Sequence, residues 1–383
     1  MVIRPEMAFA GAERGLKIWW YVVFPALLPF FIGSYLLVGL GVVAFLGVLM
    51  RPLMRPLFGI PGQGAFVVAM GFNSGYPVGA VLAAELRKKN QITPTEATRL
   101  TAFSNTSDPL FMGGAVAVGM LNQPLLVGTI MSAHYLGAFF MGILMKLFYR
   151  RGQDETPEPK GNGPNLLREA WEALLETRRQ DGRSLGALLG DSVRRSVDTL
   201  LLIGGFIILF SVLVDMAKTF GILAFFAALL SPLGLSPQLA EGIFAGFLEI
   251  SVGAQLTAHA PEPLLTRTMV ASAIIAWSGL SVIAQVAAVT RDTGIQIGVY
   301  TLARLIHAFL AAGFTYLLWP PDLTALPTLG SFTAPPSPPH PPFLAALASG
   351  SLRFAAGLAL LGVGSIVFLL SSLWRGNRER EVS

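Results

Sequence analysis

The chain has 383 residues, 53% of them hydrophobic and only 13% charged, at a mean hydropathy of +0.63. Soluble globular chains carry about 25% charged residues, so this composition excludes an ordinary cytosolic enzyme. The formal charge of +5 does not point to nucleic acid, because the basic residues stand at the ends of apolar runs, where anionic lipid holds them.

Uncharged runs at 18–50, 109–145 and 354–374 each reach the ~20 residues that cross a bilayer core. The chain therefore reads as an all-α polytopic integral membrane protein. Its 41 Gly and 26 Pro predict broken helices, which membrane bundles tolerate because neighbours re-satisfy the freed backbone groups. The absence of cysteine excludes a disulfide framework, a thiolate metal site and a cysteine nucleophile.

The N-terminal segment 1–17 scatters Arg4, Glu6, Glu13, Arg14 and Lys17 ahead of an apolar run too long for a signal core, so no cleavable signal is expected. The run 18–50 is too long for one helix, and Pro25, Pro29, Gly33, Gly39 and Gly41 offer breaks. We expect an interfacial approach segment over 17–28 and then a span. The run Gly71-Phe-Asn-Ser-Gly-Tyr-Pro77 divides the next apolar stretch into two half-helices, a re-entrant hairpin. Thr93-Pro-Thr-Glu96 is a capping box that opens a further helix, interrupted at Ser104-Asn-Thr-Ser-Asp-Pro109. After Asn122-Gln-Pro124 a span runs to about Phe148.

Residues 150–196 hold Arg150, Arg151, Lys160, Arg168, Arg178, Arg179, Arg183, Arg194 and Arg195, which marks this loop as cytoplasmic. Within it, 166–175 and 185–197 carry apolar residues at helical spacing beside arginines, as amphipathic helices on a membrane surface do. The segment 197–319 repeats 18–149 at a constant offset: Gly79-Ala80 matches Gly253-Ala254, Ser104 and Ser107 match Ser278 and Ser281, and Met70-Gly71-Phe72 matches Ala245-Gly246-Phe247 with one residue of slippage. Internal repeats with interrupted helices at equivalent positions point to a transporter's central site. A Pro-rich linker (320–342), with no Lys or Arg, is expected opposite the basic loop. A last helix within 343–374 and a basic tail (375–383) with Arg375, Arg378 and Arg380 close the chain on the cytoplasmic side. An odd number of crossings per repeat makes the repeats inverted and puts the N-terminus outside, whereas Arg4, Arg14 and Lys17 favour the inside; the sequence leaves both open.

Four stretches carry a family resemblance: Leu16-Lys-Ile-Trp-Trp-Tyr-Val-Val-Phe-Pro-Ala-Leu-Leu-Pro-Phe30, Ala69-Met-Gly-Phe-Asn-Ser-Gly-Tyr-Pro-Val-Gly-Ala80, Phe103-Ser-Asn-Thr-Ser-Asp-Pro-Leu-Phe111 and Gly246-Phe-Leu-Glu-Ile-Ser-Val-Gly253. They resemble the YlbJ-type sporulation integral membrane proteins of endospore-forming bacteria. Members of that family carry two nucleoside-recognition, or Gate, domains distantly similar to concentrative nucleoside transporters. The resemblance implies a place in stage V sporulation and movement of dipicolinic acid from the mother cell toward the forespore. One departure is that family members usually carry another hydrophobic helix ahead of the Trp19-Trp20 region.

The candidate substrate-binding residues follow from polarity at bilayer depth. Asn73, Ser74 and Tyr76 stand in the first break, where the start of the resumed helix offers backbone N–H groups to an anion. A packing kink alone does not require them there. Ser104, Asn105, Thr106 and Ser107 with the matched Ser278 and Ser281 form the second group. Asp108, before Pro109, is read as a capping residue that also borders the gate. Glu249 stands alone among apolar residues and is read as the coupling or gating acid. Gln255 and Gln285 serve either helix packing or solute. His134 and His307, at nearly equivalent repeat positions, are read as interhelical hydrogen-bonding residues, not a metal site. Arg267, Arg291 and Arg304 stand at or near run ends where snorkelling explains them, with Arg304 the one to watch as a carboxylate partner.

The leading function is a secondary transporter of a small organic anion, dipicolinate by the resemblance, with no metal, cofactor or nucleic acid; the coupling ion, proton or sodium, and the oligomeric state stay open. No nucleotide-phosphate loop is present, so ATP is not its direct energy source. The rivals are a nucleoside or other small-solute carrier, an intramembrane hydrolase with Ser74 as nucleophile and His134 or His307 as base, and a non-transporting sporulation scaffold.

Overall fold

The computed structural model describes residues 4–149, 156, 166–230, 232 and 234–320. Arg150, Arg151 and Lys160 of the basic loop, the linker beyond Pro320, the last helix within 343–374 and the basic tail lie outside the described residues. Every regular element among the described residues is helical.

The first rod does not break where the prolines stand. Helix α1 (Pro5–Ile18) continues through a π-helical turn at Trp19–Val23 into α2 (Phe24–Gly39), about 50 Å of unbroken helix. Its π turn is pinned to a neighbouring helix by Trp19 Nε1, which donates to the Leu200 carbonyl at 2.9 Å. The chain turns at Gly41, whose left-handed φ of +83° is cheap only for glycine. Beyond it α3 (Val42–Phe58) leaves at 79° to α2. Of the breaks the sequence offered, the chain uses the glycine pair and not the prolines, and beyond it α3 carries Arg51 and Arg55, paired with Glu169 and Glu96 at 2.6 and 2.7 Å.

The capping box forms as the sequence predicts, with Thr93 and Glu96 satisfying each other's amides at the start of α6 (Pro94–Ser104). Before it, α4 (Gly64–Ser74) and α5 (Val78–Lys88) make a helical hairpin; after it come a π-helix at Leu110–Met120 and the long α7 (Leu126–Phe148). Helix α8 (Leu166–Asp181) packs on α3. The second amphipathic helix expected at 185–197 is not separate: it is the first part of α9 (Leu185–Thr219), so the expected boundary at 196/197 falls inside one continuous helix. Nothing between Ser184, its N-cap, and Thr219 stops the helix, because no Pro intervenes and the glycines keep helical angles.

After α10 (Ile222–Leu230) the order of the first half recurs: a hairpin of α11 (Pro237–Leu248) and α12 (Ile250–Ala258), a broken helix of α13 (Leu264–Trp277) and α14 (Gly279–Val289), and a long α15 (Ile297–Leu317). Four helices among the described residues are long and apolar enough to cross a membrane, counting α13 and α14 as one, and five if the bent α2–α3 pair is a span.

The two ends of the bundle are distinguishable. At the basic-loop end, Arg99 donates to the carbonyls of Tyr149 and Gly59 at 2.8 and 3.1 Å, Arg195 pairs with Glu85 at 3.0 Å, and the Gln296 amide bonds Thr98 Oγ1 at 3.1 Å. At the other end Arg14 meets Asp215 at 2.5 Å. Gly11 and Gly15 let α1 lie directly against Val212 and Ile208 of α9. The start of α1 therefore stands beside the end of α9, at the end opposite the basic loop.

Candidate functional site

The break between α6 and the π-helix is the most heavily braced place in the molecule. Residues Ser104 to Ser107 are fully buried, and polar groups of Asn105, Thr106 and Ser107 are bonded to helices elsewhere in the chain. Asn105 Nδ2 donates to Tyr300 Oη at 2.8 Å, while its Oδ1 accepts from the Ala80 amide at 3.4 Å. Thr106 Oγ1 donates to the Gly71 carbonyl at 3.4 Å. The Ser107 amide donates to His134 Nε2 at 3.1 Å, and its carbonyl accepts from Tyr135 Oη at 3.3 Å. Asp108 Oδ1 accepts from the Phe111 amide at 2.8 Å and so caps the π-helix. The backbone approach is equally close: a Cβ on Gly71 or Gly79 would run into the Ser104 carbonyl.

Arg304 does not snorkel. It is fully buried, and its guanidinium donates to the carbonyls of Asn105 and Ala102 at 2.7 and 2.8 Å, beside His307 Nδ1 at 2.8 Å. The bonds fix both tautomers: His307 accepts at Nδ1 and gives its Nε2 proton to the His134 carbonyl at 2.8 Å, and His134 accepts at Nε2. The rings lie 4.7 Å apart, an interhelical pair.

The second half is braced more lightly. Glu249 is the single extended residue between α11 and α12, and its carboxylate accepts from the Ser251 and Val252 amides at 3.0 and 2.9 Å, so it caps α12. Between α13 and α14, Ser278 and Gly279 both have left-handed φ, +73° and +75°. Trp277 Nε1 donates to the Phe247 carbonyl at 3.1 Å and its ring stacks on Phe247. Ser281 Oγ accepts from Gln285 Nε2 at 3.4 Å.

Between the halves lies a cavity of about 590 Å³. Tyr76, Ser107 and Asp108 line it from the first half. Glu249, Ser251, Gln255, Ser281 and Gln285 line it from the second. Toward the end opposite the basic loop it is bordered by Arg14, Asp215, Lys218 and His259. Of the residues singled out in the sequence, Tyr76, Ser107, Asp108, Glu249 and Ser281 thus share one cavity. Ser74, Ser104, Asn105, Thr106 and Ser278 are buried behind its wall, and Asn73 is exposed and does not line it. Two amides at the start of α5 are already taken, since Val78 N bonds the Gly75 carbonyl at 3.0 Å and Ala80 N bonds Asn105. Those at the start of α12 are taken by Glu249.

The sequence reading missed Tyr300 and the role of Arg304. The signal was present, because Tyr300, Arg304 and His307 recur at i, i+4 and i+7 and so share one face of an apolar helix. The Arg14–Asp215 pair was also missed, although Gly11 and Gly15 form the small-residue spacing of a packed membrane helix.

The Gate family model, described as nucleoside recognition, matches residues 20–157. A solved structure of a CNTnw variant in an outward-facing state is 15% identical, with a TM-score of 0.39, over 82% of this chain and 85% of that one. The sporulation integral membrane protein YlbJ of Bacillus subtilis (strain 168) is 43% identical over 329 residues, 85% of this chain and 81% of that protein. At that identity and coverage, the chain belongs to the YlbJ family of sporulation integral membrane proteins.

Proposed function

We propose that the chain is a secondary permease for a small organic anion, dipicolinate, in the membrane around the developing spore. The two halves act as inverted repeats, with α4–α5 and α11–α12 as re-entrant hairpins entering from opposite faces. The observation that carries this reading is the cavity into which both halves send polar side chains from interrupted helices, a costly arrangement at bilayer depth that a scaffold does not need. The sporulation name of the YlbJ relative supports the setting. The hydrolase reading finds no support, because Ser74 Oγ has no hydrogen-bond partner and both histidines are committed elsewhere.

A solute carboxylate meets side-chain donors in this cavity, Ser251, Gln255, Ser281, Gln285 and Tyr76, with Lys218 toward its mouth. Glu249 then acts as the coupling acid. A proton moving with the anion offsets part of the charge carried across the membrane potential. Glu249→Gln keeps the shape and one of the two amide bonds but cannot ionise. This variant is expected to fold and bind solute yet lose pH-dependent accumulation in proteoliposomes; wild-type accumulation would retire the coupling role.

Thermal stabilisation of the purified protein tests the substrate. A ligand at a hundred times its Kd stabilises the folded state by about 2.7 kcal/mol. Dipicolinate is expected to raise the melting temperature and uridine to leave it unchanged. The reverse result would favour the nucleoside carrier that the Gate description suggests, and no shift with either would overturn both.

A further inference from the structure

Arg304 is the largest fully buried side chain among the described residues, and the groups it bonds are neutral. Where α6 stops, its last-turn carbonyls lose their helical donors and form the negative end of the helix dipole. The guanidinium supplies both needs at once, with Nη1 on the Asn105 carbonyl and Nη2 on the Ala102 carbonyl. The same Nη1 reaches forward to Tyr76 Oη at 3.4 Å, and Tyr76 is part of the cavity wall. Asn105, one of the two residues so held, ties the break to α5 and α15 through Ala80 and Tyr300.

We propose that Arg304 is the positioning residue of the cavity. Its planar fork sets where α6 ends, and the next residues, Ser107 and Asp108, are thereby turned to the solute; Arg304 itself touches none. Lysine cannot substitute, because an ammonium is a point charge on a flexible stem and does not hold two carbonyls in a fixed plane. The proposal rests on the permease reading for its solute-binding arm alone.

The chain has no cysteine, so each introduced cysteine is the sole thiol. Phe111→Cys reports on the π-helix just beyond the break, and Gln255→Cys reports on α12 across the same cavity. Each is placed in the wild-type, Arg304→Lys and Arg304→Gln backgrounds, and its rate of reaction with a water-soluble methanethiosulfonate is measured in membranes. Arg304→Lys is expected to change the rate at 111 by roughly tenfold and to leave that at 255 within about twofold, with dipicolinate binding weakened roughly tenfold. Unchanged rates at 111 in both variants would overturn the proposal. So would equal changes at 111 and 255 with a lowered melting temperature, which would make Arg304 general packing. Failure of both variants to accumulate as folded protein would overturn it too, as a folding role. If the wild-type chain binds neither dipicolinate nor uridine, the permease reading fails, while the thiol rates still decide the role of Arg304.

Discussion

At the first broken helix, side chains and carbonyls from α4, α5, α7 and α15 converge on Ser104 to Ser107 until nearly every polar group has a partner inside the protein. At the second, between α13 and α14, Ser281 and Gln285 bond each other at the edge of the cavity, and in the neighbouring α11–α12 hairpin Glu249 is satisfied by the two amides next to it. The first break is a braced frame, and at the second Ser281 and Gln285 face the cavity. The two breaks thus differ in where their hydrogen-bonding capacity goes. An interrupted helix becomes a binding surface only where its neighbours do not use it up.

The sharpest way to break this comparison is steric. Gly71→Ala forces a Cβ into the Ser104 carbonyl, part of a backbone that cannot yield, and is expected to cost about 3 kcal/mol, read as a lost melting transition or lost folded yield. Gly279→Ala, with its nearest contact at 3.1 Å and a φ of +75°, is expected to cost only the left-handed strain, about 1–2 kcal/mol. Equal losses would remove the distinction between frame and surface.

Hydrogen bonds give a smaller contrast. Asn105→Ala strands Tyr300 Oη and the Ala80 amide in the interior and is expected to cost about 1–3 kcal/mol, so that expression falls together with solute binding. Ser281→Ala removes one long bond at the cavity edge and is expected to cost under about 1 kcal/mol while weakening solute binding. Melting temperature against ligand affinity, measured on both variants, separates the two. A large stability loss at Ser281 would contradict the assignment.

The smallest expected effect lies outside the bundle, in the turn between α8 and α9. There the Arg183 side chain, bonded to both oxygens of Asp181 at 2.9 and 2.7 Å, holds that carboxyl below the usual carboxylate range. A depressed folded-state value means that the contribution is present above the unfolded carboxylate range and is lost as pH falls through the folded value. Limited proteolysis of this turn is therefore expected to quicken in acid, and Asp181→Asn to be cut equally at both pH values. An acid response that survives in the variant would assign it elsewhere.

Much of the architecture was legible because it rests on local signals. The Thr93–Glu96 box, the break after Ser104, the helix from Leu126 to Phe148 and the glycine matches between the halves are patterns that neighbouring residues impose on one another. Gly71 and Gly79 in one hairpin, and Gly246 and Gly253 in the other, bring two backbones together in the same way. The site was only half legible. Polarity at bilayer depth identified Tyr76, Ser107, Asp108, Glu249 and Ser281, but it could not tell a residue facing the cavity from one such as Asn105 that is bonded behind it. Nor could it foresee that Asn73 lies outside.

By itself the sequence determined an all-helical membrane chain, the order of its elements and where its helices are interrupted by polar residues, because hydropathy and helix-breaking residues act within a few turns. Tertiary structure alone decided that α1 and α2 stay one continuous helix past Pro25 and Pro29, that α1 lies against α9 with Arg14 on Asp215, and that Arg304 enters the core to hold the end of α6. Each of these joins groups far apart in the chain. A proline's kink, a charge's burial and a carbonyl's missing donor are settled by whichever neighbour arrives, and only packing decides which one does.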